Sequence, residues 1–331
     1  MNIDRFRKRF RKQIDFCKPM INLAKYLMYP QNHEKKMSYG NENPDKKIYV
    51  IRLSNPKAGL FSLLNTILEK AMYAADKGYS PVVDMMNCPN SYLADENLGR
   101  ENAWDYFFEP LTGDSVSLEA AYKSKNVILS SLYPTEKNYF FDARISLARG
   151  GDEYKRVEDS FSKHIRIKEN LVRRYEQIYS DIIGDKKVVG VLCRGTDYTS
   201  LRPYAHPIQP KVTDVTGKVD EFIAKYDCTH VYLSTEDEGI VKLFKEKYGE
   251  KLLVYPREYV KESEKGEVIT DIINKSSKPA DAGADYLGQI YVLSKCEYGI
   301  LSLTSATPFV SFMSDYEDTY IWDLGRYGYD D

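Results

Sequence analysis

From residue 187 to 323 short apolar runs alternate with amphipathic stretches in a fixed order, and that alternation limits the chain to one architecture. The runs "KVVGVLC", "HVYLST", "LLVYP", "YGILSL" and "TYIWDL" have strand length, while "KVDEFIAKY", "EGIVKLFKEKYG", "ADAGADYLGQIYVLSKC" and the short "TPFVSFM" repeat apolar residues at helical spacing. Strand and helix in strict succession specify an α/β fold, a parallel sheet covered by helices on both faces. The first half opens the same way. "IYVIRL" predicts a strand, "KAGLFSLLNTILEKAMYAADKG" a helix that begins after Pro56 and ends near Gly78, and "SPVVDM" a second strand. "NVILSSLYP" and "NYFFDAR" are expected to add strands. The aromatic "NAWDYFFEPLTG" is expected to pack irregularly in the core rather than bind a ligand, and "YPQNHEKKMSYGNENPDKK" to be a linker. A long charged segment, "DEYKRVEDSFSKHIRIKENLVRRYEQIYSDII", predicts one helix or a pair ending at Gly184.

At 331 residues the chain exceeds the usual size of one hydrophobic core. The expected division is a basic amphipathic helix over 1–30, a first domain over 45–184 and a second over 185–331. Residues 1–26 hold eight basic side chains against two acids, so the remainder is acidic. Ile3, Phe6, Phe10, Ile14, Cys17 and Ile21 give that segment one apolar face. Such a helix lies on an anionic membrane surface, through residues 1–27, or on the protein's own body, and both readings stay open. The acidic remainder argues against nucleic acid as a partner. No run of eighteen apolar residues occurs, and the five cysteines are scattered without paired spacing, so a soluble protein of a reducing cytoplasm is expected, peripheral on the inner membrane face if the helix binds there.

Ligands of open parallel sheets bind beyond the carboxyl ends of the strands. Three strand ends in the second half are polar there. Cys193-Arg194-Gly195-Thr196-Asp197 offers a guanidinium suited to phosphate oxygens, or else a structural ion pair with Asp197 or another acid. Ser234-Thr235-Glu236-Asp237 offers groups for ribose or base, though helix capping explains it more simply. Ser302-Leu303-Thr304-Ser305-Ala306-Thr307 places hydroxyls and free N–H groups before Pro308, a phosphate cradle or again a cap. Their placement on one sheet favours a single anion, a nucleotide diphosphate. No G-x-G-x-x-G follows the first strand, no G-x-x-x-x-G-K-[ST] or H-E-x-x-H occurs, and the four histidines are scattered. With no Asp-x-Asp pair either, no metal and no cofactor are expected.

"VLCRGTDYTSLRPYAHPIQP" resembles the first motif of the α1,6- and protein O-fucosyltransferases and the rhizobial nodulation fucosyltransferases, with Arg194, Thr196, Asp197 and a His206-Pro207-Ile208 element. "VYLSTEDEGIVKLFKEKYG" is similar to their second motif, "LSKCEYGILSLTSATPFVSFM" to their third, and the strand-to-helix bend at Gly59 to their glycine-rich turn. The likeness implies a GT-B fold, two Rossmann-like domains with a cleft between them, and inverting, metal-independent transfer from a GDP-sugar, usually GDP-fucose. It implies that Arg194 holds the β-phosphate and assists its departure. It also implies that Asp237 contacts guanine and that the Thr304–Thr307 turn cradles the diphosphate, with Gly59, Tyr198, Arg202, Thr235, Ser302, Thr304, Ser305 and Thr307 on the donor side. Leu192 stands where many relatives carry a histidine, Tyr198 where they carry a lysine, and Arg202 where the α1,6 enzymes carry a glutamate that is a candidate base. Arginine accepts no proton. The base therefore falls to Asp197, His206 or an acid of the first domain, while Arg202 is read as a second phosphate ligand. The expected function is sugar transfer, fucose first among donors, to a surface polysaccharide, lipopolysaccharide or lipid-linked glycan precursor. The alternative is a non-catalytic nucleotide-sugar-binding module.

Overall fold

The computed structural model describes residue 28 and residues 32–53, 58–112, 116–132, 139–261 and 278–328. The basic helix expected over 1–30 lies, but for Met28, outside them. The described chain forms two sheets. The first has the order β1-β4-β2-β3, with β1 at Lys35–Met37, β2 at Ile48–Arg52, β3 at Ser80–Asp84 and β4 at Val127–Leu129. Strands β3 and β4 flank β2 in parallel, and β1 closes the edge antiparallel to β4 with Met37 opposite Val127. Helix α1 (Leu60–Asp76) joins β2 to β3 and turns its leucines inward, while the short α2 (Leu118–Ala121) covers the other face through Leu118 and Ala121.

The second sheet is parallel throughout. Its strands are β5 (Val188–Leu192), β6 (His230–Ser234), β7 (Leu252–Val254), β8 (Tyr298–Ser302) and β9 (Asp318–Trp322), in the order β7-β6-β5-β8-β9. The chain builds outward from β5 through β6 to β7, then returns to place β8 on the opposite side of β5. That reversal makes a topological switch point between β5 and β8, and their carboxyl ends splay into a crevice. Before the sheet come α3 (Asp152–His164) and α4 (Glu169–Ile182), within it α5 (Thr196–Ser200), α6 (Val212–Tyr226), α7 (Glu238–Tyr248), α8 (Pro279–Ser294) and α9 (Thr307–Met313). Val215, Val219, Phe222, Ile240 and Phe244 of α6 and α7 bury one face of the sheet. On the other face α4 packs on α8, so this helix preceding Gly184 lies with the second sheet.

One apolar core runs from α1 through α3 and α4 to α8 and α9. The Phe61 ring sits 5.0 Å from Tyr286 and 5.2 Å from Phe309, and Phe161 sits 5.4 Å from Phe309, so rings from both halves meet directly. Where α4 crosses α8 the helices touch at Gly288, whose added Cβ would lie 2.3 Å from Tyr255 Oη and 2.5 Å from the buried Tyr175 ring. In an open helix Gly→Ala gains about 0.5–1 kcal/mol. Here overpacking, about 1–3 kcal/mol, outweighs that gain. Gly288→Ala is therefore expected to lower the urea midpoint and the melting temperature, and an unchanged or raised midpoint would contradict this packing.

Two local expectations change. "NYFFDAR" contributes no strand to the described residues. Asp142 accepts from Arg144 N at 2.8 Å and opens a 3-10 turn over Ala143–Ala148. The short polar side chain captures backbone that a strand would need. The stretch read as a linker carries β1, an edge strand with a single apolar residue, Met37.

Candidate active site

Strands β5 and β8 pair with Leu192 opposite Leu301, so the segments leaving them, Cys193-Arg194-Gly195 and Leu303-Thr304-Ser305, stand side by side at the switch point. The first segment is held by the turn after β6. Glu236 Oε1 accepts from Gly195 N at 3.0 Å and from Thr196 Oγ1 at 2.8 Å, and Asp237 Oδ2 accepts from Thr196 N at 3.2 Å. Thr196 takes φ +43° to enter α5. Asp237 also caps α7, its Oδ1 accepting from Gly239 N at 2.8 Å and Ile240 N at 3.3 Å. The Thr235 hydroxyl accepts from Asp237 N at 3.2 Å, and its carbonyl accepts from Gln289 Nε2 at 2.8 Å. Asp237 thus both caps α7 and ties down the turn after β5, and it and Thr235 are buried.

Arg194 is 14% exposed, with Nε 3.5 Å from Glu236 Oε1 and its guanidinium carbon 4.9 Å from the Tyr198 ring centroid. An acid and an aromatic face thus orient the cation at the strand end. Beyond Tyr198 the exposed His206 ring lies edge-on at 5.2 Å. Its segment is fixed to the chain's last described turn, where Tyr327 N donates to His206 O at 3.0 Å and Ala205 N to Tyr327 O at 2.9 Å. Arg202 is exposed, with φ +45°. Asp197 lies in the first turn of α5; its side chain lies outside what the structure describes.

After β8 the hydroxyls close the turn on itself. Thr307 Oγ1 donates to Ser302 O at 2.7 Å and accepts from Thr304 N at 2.8 Å, while Thr304 Oγ1 accepts from Ala306 N at 3.1 Å. Ser302 and Thr307 are fully buried, which leaves Thr304 and Ser305 as the members that reach open space. Gly59 caps α1 at φ −68°, and no described residue lies within 4 Å of an added Cβ, so its conformation does not require glycine there.

That open space is a hollow of about 270 Å³ between the two halves. The second half lines it with Tyr198, His206, Thr304, Ser305 and Arg326. The first half adds Phe140, Phe141, Asp142 and Arg144, and a polar stripe of α1, Ser62, Asn65, Thr66 and Glu69. Ion pairs Arg326–Asp142 and Arg144–Asp323, the latter 3.1 Å, join the two walls. Of the residues singled out by sequence, the hollow therefore gathers Tyr198, His206, Thr304 and Ser305. Arg194 stands against Tyr198 at its margin, and Thr235, Asp237, Ser302 and Thr307 sit in the supporting structure. The α1 stripe escaped sequence reading although its spacing of three and four residues is visible, because a polar helix face is ordinarily a solvated one.

A second guanidinium follows β7. Arg257 donates from Nη1 to Gln289 Oε1 at 3.2 Å and lies 6.0 Å from the Tyr286 centroid. Burial pushes the Tyr286 hydroxyl up to about 12, against the downward pull of Arg194 and Arg257, so both cations act on one region of the strand ends. Deeper in the first half, burial and then Arg52 push the Lys70 ammonium down to about 8. Among the described residues no group of three or more His, Cys, Asp or Glu is placed to hold a metal ion, and no helix is long and apolar enough to cross a membrane.

No protein-family model matches the sequence, and no curated protein matches it significantly. Solved structures do. NodZ α-1,6-fucosyltransferase co-crystallized with GDP superposes with a TM-score of 0.51 at 15% identity, over 80% of this chain and 92% of that one. The same enzyme soaked with GDP-fucose gives 0.50 at 15% identity, over 81% and 93%. Selenomethionine-labelled NodZ from Bradyrhizobium gives 0.50 at 15%, again over 81% and 93%. At this identity the shared property is the fold, and the chain has the GT-B fold of the fucosyltransferase group.

Proposed function

We propose that the chain is a glycosyltransferase that moves a sugar from a GDP-sugar, fucose being the first donor to try, to a hydroxyl of a polysaccharide or lipid-linked glycan precursor. The observation that carries this reading is that Arg194 and the Thr304–Ser305 segment follow the adjacent strands β5 and β8 at the switch point of a GT-B fold, and that Thr304, Ser305 and the Tyr198 ring against Arg194 line an open polar hollow. In the proposed reaction the acceptor oxygen attacks the anomeric carbon from the face opposite the diphosphate, which inverts that centre. Arg194, held by Glu236 and Tyr198, meets the charge that grows on the departing β-phosphate oxygen, a task a fixed guanidinium performs without a metal ion. Ser305 and Thr304 supply polar groups on the neighbouring segment. Because Thr304 and Thr307 spend their hydroxyls within the turn, shape and backbone there count for more than the hydroxyl ring expected from sequence. Residues 1–27 belong to the same proposal as a contact with an anionic membrane surface that holds the acceptor.

A thermal-shift panel of GDP, UDP, ADP and CMP tests the donor class. GDP at a hundred times its Kd should stabilise the protein by about 2.7 kcal/mol and the others by much less. GDP-fucose with added EDTA should then release GDP. A shift with UDP alone, or none, would overturn the nucleotide assignment. Glu236 beside Arg194, and an arginine at 202 in place of a carboxylate, favour the rival binding module. That reading predicts the GDP shift without any GDP release.

A further inference from the structure

We infer that a groove at the carboxyl end of β3 is a second carbohydrate subsite, which holds a pyranose unit of the acceptor chain a few units away from the reacting one. The inference rests on the proposed function for its acceptor role, but the groove is separate from the hollow. A cavity of about 600 Å³ opens there, within the range of about 300–1,000 Å³ that bound ligands fill. Its floor is apolar, made by Met86, the buried Leu118 of α2 and the partly buried Tyr122 ring. Its rim is polar and exposed, with Asn87 and Arg100 from the chain after β3 and Glu119 and Lys123 from α2 and its end. A pyranose presents the matching pattern, C–H faces that lie on apolar surface and hydroxyls around the edge. The Arg100 fork suits two neighbouring hydroxyls or a sugar carboxylate.

One buried carboxylate sets the groove. Asp84, 1% exposed at the end of β3, accepts from Tyr122 Oη at 2.7 Å, Asn87 N at 2.9 Å, Asn87 Nδ2 at 3.0 Å and Met86 N at 3.1 Å. The floor ring and a rim amide are therefore oriented together before any ligand arrives. Tyr39 braces the Tyr122 ring edge-on at 5.1 Å, and Gly99 N donates to Met86 O at 2.9 Å, which fixes the segment carrying Arg100. The loop that leaves the groove then leads to the strand-end cations. Asn90 pins it, with Nδ2 donating to Met85 O at 3.1 Å and Oδ1 accepting from Tyr92 N at 3.1 Å. Tyr92 Oη accepts from Leu60 N at 2.7 Å at the start of α1. Burial pushes that hydroxyl up, against the pull of Leu60 N, Arg194 and Arg257, so the loop ends beside the proposed donor site. The five residues from Asn87 to Tyr92 reach at most about 18 Å, a span that a few linked pyranoses cover.

Saturation-transfer NMR on the full chain tests the subsite. The probes are the methyl glycosides of glucose, galactose, mannose, N-acetylglucosamine and glucuronic acid, together with cellotetraose and maltotetraose. At least one should bind. Arg100→Ala removes the fork, and Glu119→Trp fills the groove from an exposed position of α2. Each should weaken that binding about tenfold, the cost of one charge-assisted hydrogen bond or more, while the melting shift with GDP stays as in the wild type. Arg100→Ala carries the test alone if the tryptophan variant fails to fold, since the position is exposed. If GDP-fucose and a tetrasaccharide give turnover, both variants should also raise the acceptor KM. Probes that do not bind, binding that survives both variants, or an unchanged acceptor KM overturns this inference alone. A wild-type chain that binds no GDP, yet loses sugar binding in both variants, overturns the proposed function and leaves the groove a carbohydrate site.

Discussion

Arg194→Ala is expected to slow GDP release from GDP-fucose by about two to three orders of magnitude, the usual cost of deleting one group that meets charge in the transition state. The competing view makes Arg194 a structural partner of Glu236. The geometry separates the two. Glu236 Oε1 receives Gly195 N at 3.0 Å and Thr196 Oγ1 at 2.8 Å, whereas the guanidinium Nε stands 3.5 Å away. Removing the guanidinium therefore leaves the carboxylate with its closer donors and the turn with its ties. Because Glu236 is buried, losing its charge partner should still cost about 3 kcal/mol, more than a surface ion pair is worth. Arg194→Lys keeps a charge but loses the planar fork and the stacking on Tyr198, and should recover only part of the rate. Circular dichroism and melting must be measured beside the kinetics. An alanine variant that unfolds, or one that keeps full activity, would remove Arg194 from the reaction.

The neighbouring residue should be nearly as sensitive for a different reason. A Cβ at Gly195 would lie 2.5 Å from Asp237 Oδ2, 2.8 Å from Asp237 Cβ and 2.8 Å from Ile240 Cδ1. Asp237 cannot retreat easily, because it caps α7 through Gly239 N and Ile240 N while receiving Thr196 N. The strand-end turn has to move instead, and Arg194 and Tyr198 move with it. A displacement near 1 Å at a reacting centre costs about 10²-fold in rate. Gly195→Ala should therefore lose about two orders of magnitude in kcat, with about 1–3 kcal/mol of stability lost to overpacking. Full activity in this variant would show that the turn tolerates movement and does not set the guanidinium.

The second sheet was legible because its central strands β5, β6 and β8 are buried on both faces and separated from their neighbours by amphipathic helices, so period and length mark each element. The hydroxyl-rich end of β8 and the arginine after β5 were legible for the same reason, since each interrupts an apolar run. Strand β1 left no such trace. Its pairing uses backbone groups, and Lys35 and Lys36 carry no signal of burial. The "NYFFDAR" segment misled because its aromatics suit a strand, while one Asx-type bond at Asp142 decided otherwise. The supporting role of Glu236, next to an Asp237 that already explained the cap, required knowing that the ends of β5 and β6 are neighbours. The α1 stripe was illegible as a lining of the hollow because only tertiary placement separates a helix face turned to solvent from one turned to a hollow.

The ring contacts of Phe61 with Tyr286 and Phe309 tie the two sheets into one rigid frame. Swinging the halves apart would wet those aromatics at about 1.5–3 kcal/mol for each large side chain. In the proposed transfer, substrates would therefore enter and leave past the rim, through local rearrangement at the mouth rather than through a jaw that opens wide.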